Sequence, residues 1–280
     1  MTSLRQILIQ AQKSIFLATI GNHTTTLKGD GYDFTELREY ASGDDIRHID
    51  WIMSAKLAKP YVKIFTQERE LKIVIAPIMS ASLYFGTQKL KQDLVSEICA
   101  LLSYSCVQQN DPFESYFCDT HVKIGTPRSK SIDSVHDFIA KLHSFELLGQ
   151  DVNYVSILKE MYLRLDQASM IFFIGDFFDV EEFALHTLSE KHEIVVIIVR
   201  DRFEENPQAL GQISIRDPLL EKSTTIMLNA HNINEYTKEL NKADTAFTQK
   251  LHHLGVRYVK IYTDEDPIEK IVSLLGRQNV

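Results

Sequence analysis

Two stretches of this chain gather residue types that can do chemistry. The first, residues 29–56, carries Asp33, Glu36, Arg38, Asp44, Asp45, Arg47 and Asp50 around Phe34, Tyr40 and Trp51, with Gly29, Gly31 and Gly43 supplying tight turns. Carboxylates packed this densely can share a proton, and Asp44, Asp45 and Asp50 with His48 form a candidate hydrolytic set. The arginines argue the other way. A guanidinium beside a carboxylate keeps it ionised and can grip it through parallel hydrogen bonds. The segment therefore reads as an ion-paired clamp or as a recognition surface. The second stretch follows an apolar run and reads IMSASLYFG, from Ile78 to Gly86, with Ser80 and Ser82 two residues apart. Asp176, in GDF, follows another apolar run.

Other chemistries lack their signatures. Ser80 is not set in a G-x-S-x-G elbow. No G-x-x-x-x-G-K-[ST] loop occurs, so this chain is not itself a P-loop ATPase. The ten histidines show no ligand spacing matched to a carboxylate or cysteine partner. Three cysteines, Cys99, Cys106 and Cys118, are too few and too scattered for a disulfide framework or a zinc knuckle, and are expected as small core residues.

The elements that must position these residues are written in the hydrophobic pattern. Leu4, Ile7, Leu8, Ala11, Ile15 and Leu17 recur at helical spacing and predict an opening amphipathic helix. Short strands are expected at 24–27 and 61–65. From Leu71 the pattern alternates. Strands are predicted at 71–79, 169–175, 193–199 and 256–262, a strand or hairpin at 115–125, and an edge strand at 224–229. Helices are predicted at about 87–109, 131–145, 153–167, 180–190, 232–254 and 267–276. Strands separated by helices imply right-handed crossovers and an α/β fold: a doubly wound, mostly parallel sheet in a three-layer, Rossmann-type arrangement. The expected division is residues 1–69, the N-terminal helix plus the charged segment, and residues 70–280, the sheet domain. Ligands in such sheets collect beyond the carboxyl ends of the strands, where Ser80, Ser82 and Asp176 fall.

Bulk properties narrow the class. The chain has 280 residues, 44% hydrophobic and 24% charged, which suits a packed soluble domain. A net charge of −8 and the lack of a basic stripe speak against a nucleic-acid partner. The apolar runs are of strand length, so no membrane span is expected, and the protein is read as cytoplasmic.

The motif G-x-G-x-[DE]-F-x-x-x-R-x-Y-x-x-G-D-D-x-R-x-I-D-W-x-x-S-A is met by Gly29, Gly31, Asp33, Phe34, Arg38, Tyr40, Gly43, Asp44, Asp45, Arg47, Ile49, Asp50, Trp51, Ser54 and Ala55. Glu68 and Arg69, Asp176 in GDF, the stretch from Asp201 and Glu204 to Gly211 and Asp217, and the ending YTDEDPIEKIVSLLGR extend the match over nearly the whole chain. This resembles the bacterial family named domain of unknown function fifty-eight. The resemblance implies a von Willebrand factor A-like fold. It also implies a link to MoxR-type AAA+ ATPases and roles in maturing or assembling other proteins. Domains of that kind hold a divalent cation through D-x-S-x-S, a threonine from another loop and a second aspartate. Ser80 and Ser82 stand in the serine positions and Asp176 in the second aspartate position, while Ile78 replaces the first aspartate. Thr120 and Thr126 are both candidates for the threonine. Magnesium requires oxygen ligands in near-octahedral order, and an isoleucine supplies none.

The expectation is therefore a non-enzymatic interaction module with a degenerate metal site and no cofactor, whose partner is a protein, a MoxR-type ATPase and its client. A metal-dependent binder completed by a client carboxylate is the second reading, and a hydrolase built on the 44–50 segment the third.

Overall fold

The computed structural model describes residues 4–8, 11, 32–41, 44–67, 72–178, 180 and 185–276. The described residues fall into two compact units, one within 1–25 and 71–280, the other within 26–70. Gly29, Gly31, Gly43, Glu68, Arg69 and the strand expected at 24–27 lie outside the described residues.

The smaller unit is a hairpin of β1 (Tyr32–Glu39) and β2 (Tyr61–Gln67), joined through a 3-10 turn at Ile46–His48 and helix α2 (Trp51–Leu57). The sequence pattern had suggested β2 but not β1 or α2. Charged residues interrupt the apolar alternation of β1, which is YDFTELRE.

In the larger unit, helix α1 (residues 4–8) belongs with the sheet rather than with the charged segment, because Ile7 is buried in the sheet unit's core. The strands in chain order are β3 (Lys72–Pro77), β4 (Phe113–Cys118), β5 (Val122–Ser129), β6 (Ser169–Gly175), β7 (Glu193–Arg200), β8 (Gly211–Arg216), β9 (Ser223–Leu228) and β10 (Arg257–Tyr262). Six of them form one sheet in the order β10-β7-β6-β3-β4-β5. Every neighbouring pair is parallel except the β4–β5 hairpin at one edge. The helices are α3 (Lys91–Gln108), α4 (Ile132–His143), α5 (Tyr154–Arg164), α6 (His186–Ser189), α7 (Arg202–Glu205), α8 (Ala230–His253) and α9 (Pro267–Gly276). The described part of the helix expected at 180–190 is the single turn α6.

Side chains alternate across a strand, so a sheet covered on both faces needs two apolar sets. Ile73, Ile75, Phe172, Ile174, Val195 and Ile197 enter one cluster with Leu94 and Ile98 of α3 and Phe138 of α4. Val74, Ala76, Ile171, Phe173, Val196 and Ile198 enter the other with Ile157 of α5 and Phe247 and Leu251 of α8. This is the expected doubly wound, three-layer α/β sheet. The strand expected at the edge, 224–229, is not part of it. Among the described residues, β9 pairs with β8 as a separate antiparallel ribbon. The ribbon is mostly exposed, and its polar alternation suits a surface hairpin rather than a sheet covered on both faces.

Cys99 and Cys106 of α3 and Cys118 of β4 are free and buried, as expected of core residues. Burial pushes the Cys106 thiol up to about 12 and holds Cys99 and Cys118 well above the ordinary thiol range. The folded protein is therefore expected to be inert to an aromatic disulfide reagent at mildly alkaline pH, and all three thiols to react after denaturation. A fast-reacting thiol in the native protein would contradict this packing.

Candidate functional site

In the smaller unit the charged motif is satisfied locally. Arg38 Nη2 donates to Asp44 Oδ1 at 2.7 Å, and the Ala41 amide donates to Asp44 Oδ2 at 2.8 Å. Arg47 grips Asp45 with two nitrogens, Nε and Nη2, the latter at 2.7 Å. Asp50 caps α2, accepting from the amides of Ile52 and Met53 at 3.0 Å, and pairs with Lys63 at 3.1 Å. Lys63, absent from the sequence reading, is thus the third cation of the clamp. The donors hold all three carboxyls below the usual range: for Asp44 the Ala41 amide, then Arg38; for Asp45 Arg47; for Asp50 the Met53 amide, then Lys63. Carboxylates held ionised and occupied in this way do not form a proton-sharing pair. Around them Ile46, Trp51 and Ile52 are 64%, 71% and 72% exposed, and Tyr40 is half-buried.

The larger unit gathers its polar residues at the carboxyl ends of the strands. β3 and β6 are neighbours, and the chain winds away from this pair in opposite directions, so their carboxyl ends mark the topological switch point. After β3, Ser80 caps a 3-10 turn at Ala81–Tyr84 by accepting from the Ser82 amide. After β6, Asp176 is 1% exposed. The next residue, Phe177, has φ 49°, a left-handed conformation unusual for a bulky side chain. Its buried ring stacks between Tyr154 and Phe247, which holds the turn. The Ser80 and Ser82 hydroxyls are hydrogen-bonded to each other, and Ser82 Oγ donates to Asp176. The structure thus brings together the three polar residues that the sequence had picked out.

It also places there two that the sequence reading did not use in this way. Lys91, the first residue of α3, is fully buried. Its Nζ donates to Asp176 Oδ2 at 2.9 Å and to Glu204 Oε1 at 2.6 Å. Burial raises the Glu204 carboxyl above its ordinary range, with Lys91 opposing and Asp176 reinforcing the shift. The Phe178 ring lies beneath both Lys91, 4.9 Å from Nζ, and Arg200, 3.7 Å from its guanidinium carbon. Arg200, itself buried, pairs with Asp244 at 2.7 Å. A lysine at the N-terminus of a helix runs against the helix dipole, and that anomaly was the available sequence signal.

Asp201, the residue after β7, ties this end of the sheet together. It is 0% exposed. It accepts from the Thr87 amide at 2.8 Å, from Thr87 Oγ1 at 2.9 Å, from Thr263 Oγ1 at 2.6 Å and from the Phe203 amide at 2.9 Å. Glu204 returns the contact through the Asp201 amide, which makes a reciprocal cap for α7. Burial alone would raise the Asp201 carboxyl, but the donors from Thr263, Thr87 and Phe203 outweigh it and hold the group low.

These residues do not fit the divalent cation implied by the resemblance. Ile78 is 0% exposed within an apolar cluster, and a Cβ built on Gly175 would lie 2.9 Å from the Ile78 Cβ. No side-chain oxygen can come from that position. Asp176 is already bonded to an ammonium. Thr126 lies within β5 opposite Ser115, back from the strand ends, and Thr120 is exposed in the β4–β5 turn. Among the described residues, no group of three or more His, Cys, Asp or Glu is placed to hold a metal.

The fold and site define a doubly wound α/β domain with a polar, self-bonded cluster at its switch point and a charged hairpin unit inserted before the first core strand. The chain belongs to the family described as protein of unknown function DUF58, whose model matches residues 36–246. This is the family the motif resembled. Uncharacterised proteins of Mycobacterium bovis and Mycobacterium tuberculosis are 22% identical over 286 residues, covering 98% of this chain and 88% of each relative. Among solved structures, a conserved hypothetical protein, BatB, from Bacteroides thetaiotaomicron is 15% identical with a TM-score of 0.47, covering 74% of this chain and 97% of its own. An aerotolerance-related membrane protein from Bacteroides fragilis is 14% identical with a TM-score of 0.44, covering 74% and 100%. A von Willebrand factor type A protein from Catenulispora acidiphila is 11% identical with a TM-score of 0.27, covering 46% and 33%. At such scores the fold assignment rests on the strand order itself. Among the described residues, no helix is long and apolar enough to cross a membrane.

Proposed function

We propose that this chain is a non-enzymatic, cytoplasmic interaction and assembly module that works beside a MoxR-type AAA+ ATPase in maturing other proteins. The observation that carries the reading is the apolar surface of the smaller unit. Trp51, Ile52 and Ile46 are exposed on a frame that Asp45 and Asp50 fix by capping consecutive turns. Exposed tryptophan and isoleucine on a preorganised backbone are what a protein partner buries as an anchor. The class of partner comes from the family resemblance. The hydrolase reading finds less support, because Asp44, Asp45 and Asp50 are each occupied by a cation, an amide or both. The metal-dependent reading meets the misfit at Ile78 described above.

The test is binding of the purified protein to the MoxR-type ATPase of the same host, measured by calorimetry. Trp51→Ala is expected to weaken binding at least tenfold, about 1.4 kcal/mol, without lowering the thermal midpoint. No binding by the wild type, or equal binding by the variant, would remove this reading.

A further inference from the structure

We infer that the Lys91 ammonium is a built-in cation. It occupies the place of a divalent ion among the loops after β3, β6 and β7, and it makes this end of the sheet independent of metal. The inference does not depend on which partner the protein serves.

The case is geometric. The Lys91 side chain is 0% exposed, so its charge is neutralised inside the protein or not at all. Asp176, from the loop after β6, and Glu204, from the turn after β7, accept from it at 2.9 and 2.6 Å. Asp176 Oδ2, the same oxygen that meets the ammonium, also accepts from Ser82, in the loop after β3, and Ser80 bonds to Ser82. Oxygen-bearing side chains from three loops therefore converge around one positive charge. An ammonium has three donors; two meet the carboxylates, and the face of Phe178 covers the group at 4.9 Å.

The charge count makes the site latent. Two carboxylates against one ammonium leave one negative charge. Without the ammonium, the same oxygens lack a counter-charge beside them, which a divalent cation can supply. Lys91 thus supplies the charge that crosslinks the loops and excludes the ion that would otherwise do so.

The test is Lys91→Ala, with thermal midpoint and calorimetry measured in chelator and in millimolar Mg2+ or Mn2+. The wild type is expected to move by less than about 1 °C between these conditions. The variant is expected to melt lower in chelator and to recover by roughly 5 °C or more with Mn2+, since a ligand bound only by the native state raises stability. A wild type stabilised by metal, or a folded variant that takes none, would overturn the inference. If the variant does not fold, lysine acetylation of the wild type followed by mass spectrometry decides. Lys91 is expected to stay unmodified in chelator and in Mn2+ alike. Labelling of Lys91 that rises when Mn2+ is added would show a metal displacing the ammonium and would overturn the inference.

Discussion

Replacing Asp201 by alanine is expected to destabilise the sheet unit by about 3–5 kcal/mol and to lower the thermal midpoint by roughly 10 °C. The size follows from what the carboxylate holds. Thr87 precedes α3, Thr263 follows β10 and Phe203 lies in the first turn of α7, and all of them donate to this one fully buried group. Alanine would leave those donors without an acceptor, each at a cost of about 1–3 kcal/mol if it finds no other. The pH dependence has a definite sign. The folded-state pKa of Asp201 lies below its unfolded value, because the Thr and amide donors outweigh the burial that opposes them. Its stabilisation is therefore complete above an unfolded value of about 4 and is lost as pH falls through the folded value. Glu204, raised by burial, carries the opposite sign: its contribution is present below its unfolded value and is lost as pH rises through the folded one. Chemical denaturation across acidic pH measures it. A variant within 1 kcal/mol of the wild type, from an order-of-magnitude standpoint roughly that of an ordinary surface change, would show that Asp201 is not the tie described here.

Placing an acidic residue at position 78, Ile78→Asp, is expected to cost about 3–5 kcal/mol and to create no metal site while Lys91 remains. Ile78 lies in an apolar cluster with Ala76 and Cys118, and its amide donates to the Ile174 carbonyl at 2.8 Å, fixing the backbone. Ile78 is 0% exposed, so a carboxylate there is desolvated. Denaturant midpoints in chelator and in Mn2+ give the answer. A variant as stable as the wild type and further stabilised by Mn2+ would mean that position 78 alone had silenced the site.

The main sheet was legible because burial on both faces writes strands as continuous apolar runs. IVIAPIM, SMIFFIG and EIVVIIV need no tertiary information to be recognised. The smaller unit was legible as a motif but not as a structure. β1 carries charges on alternate and adjacent positions, so its pairing with β2 leaves no apolar alternation to detect. The strand at 224–229 is present but joins β8 in a separate ribbon, because alternation of residue types marks a strand without saying which sheet it enters.

The sequence by itself determined the family and the α/β architecture, since each depends on residue type at a fixed spacing. Tertiary structure alone decided the partners. Lys91 comes from a helix, Asp176 from a loop 85 residues away and Glu204 from a turn farther on. The sequence had also left Asp50 without Lys63 and placed α1 outside the sheet unit. A charge inside a protein is settled by whichever opposite charge the fold brings within about 3 Å, and chain distance carries no information about that.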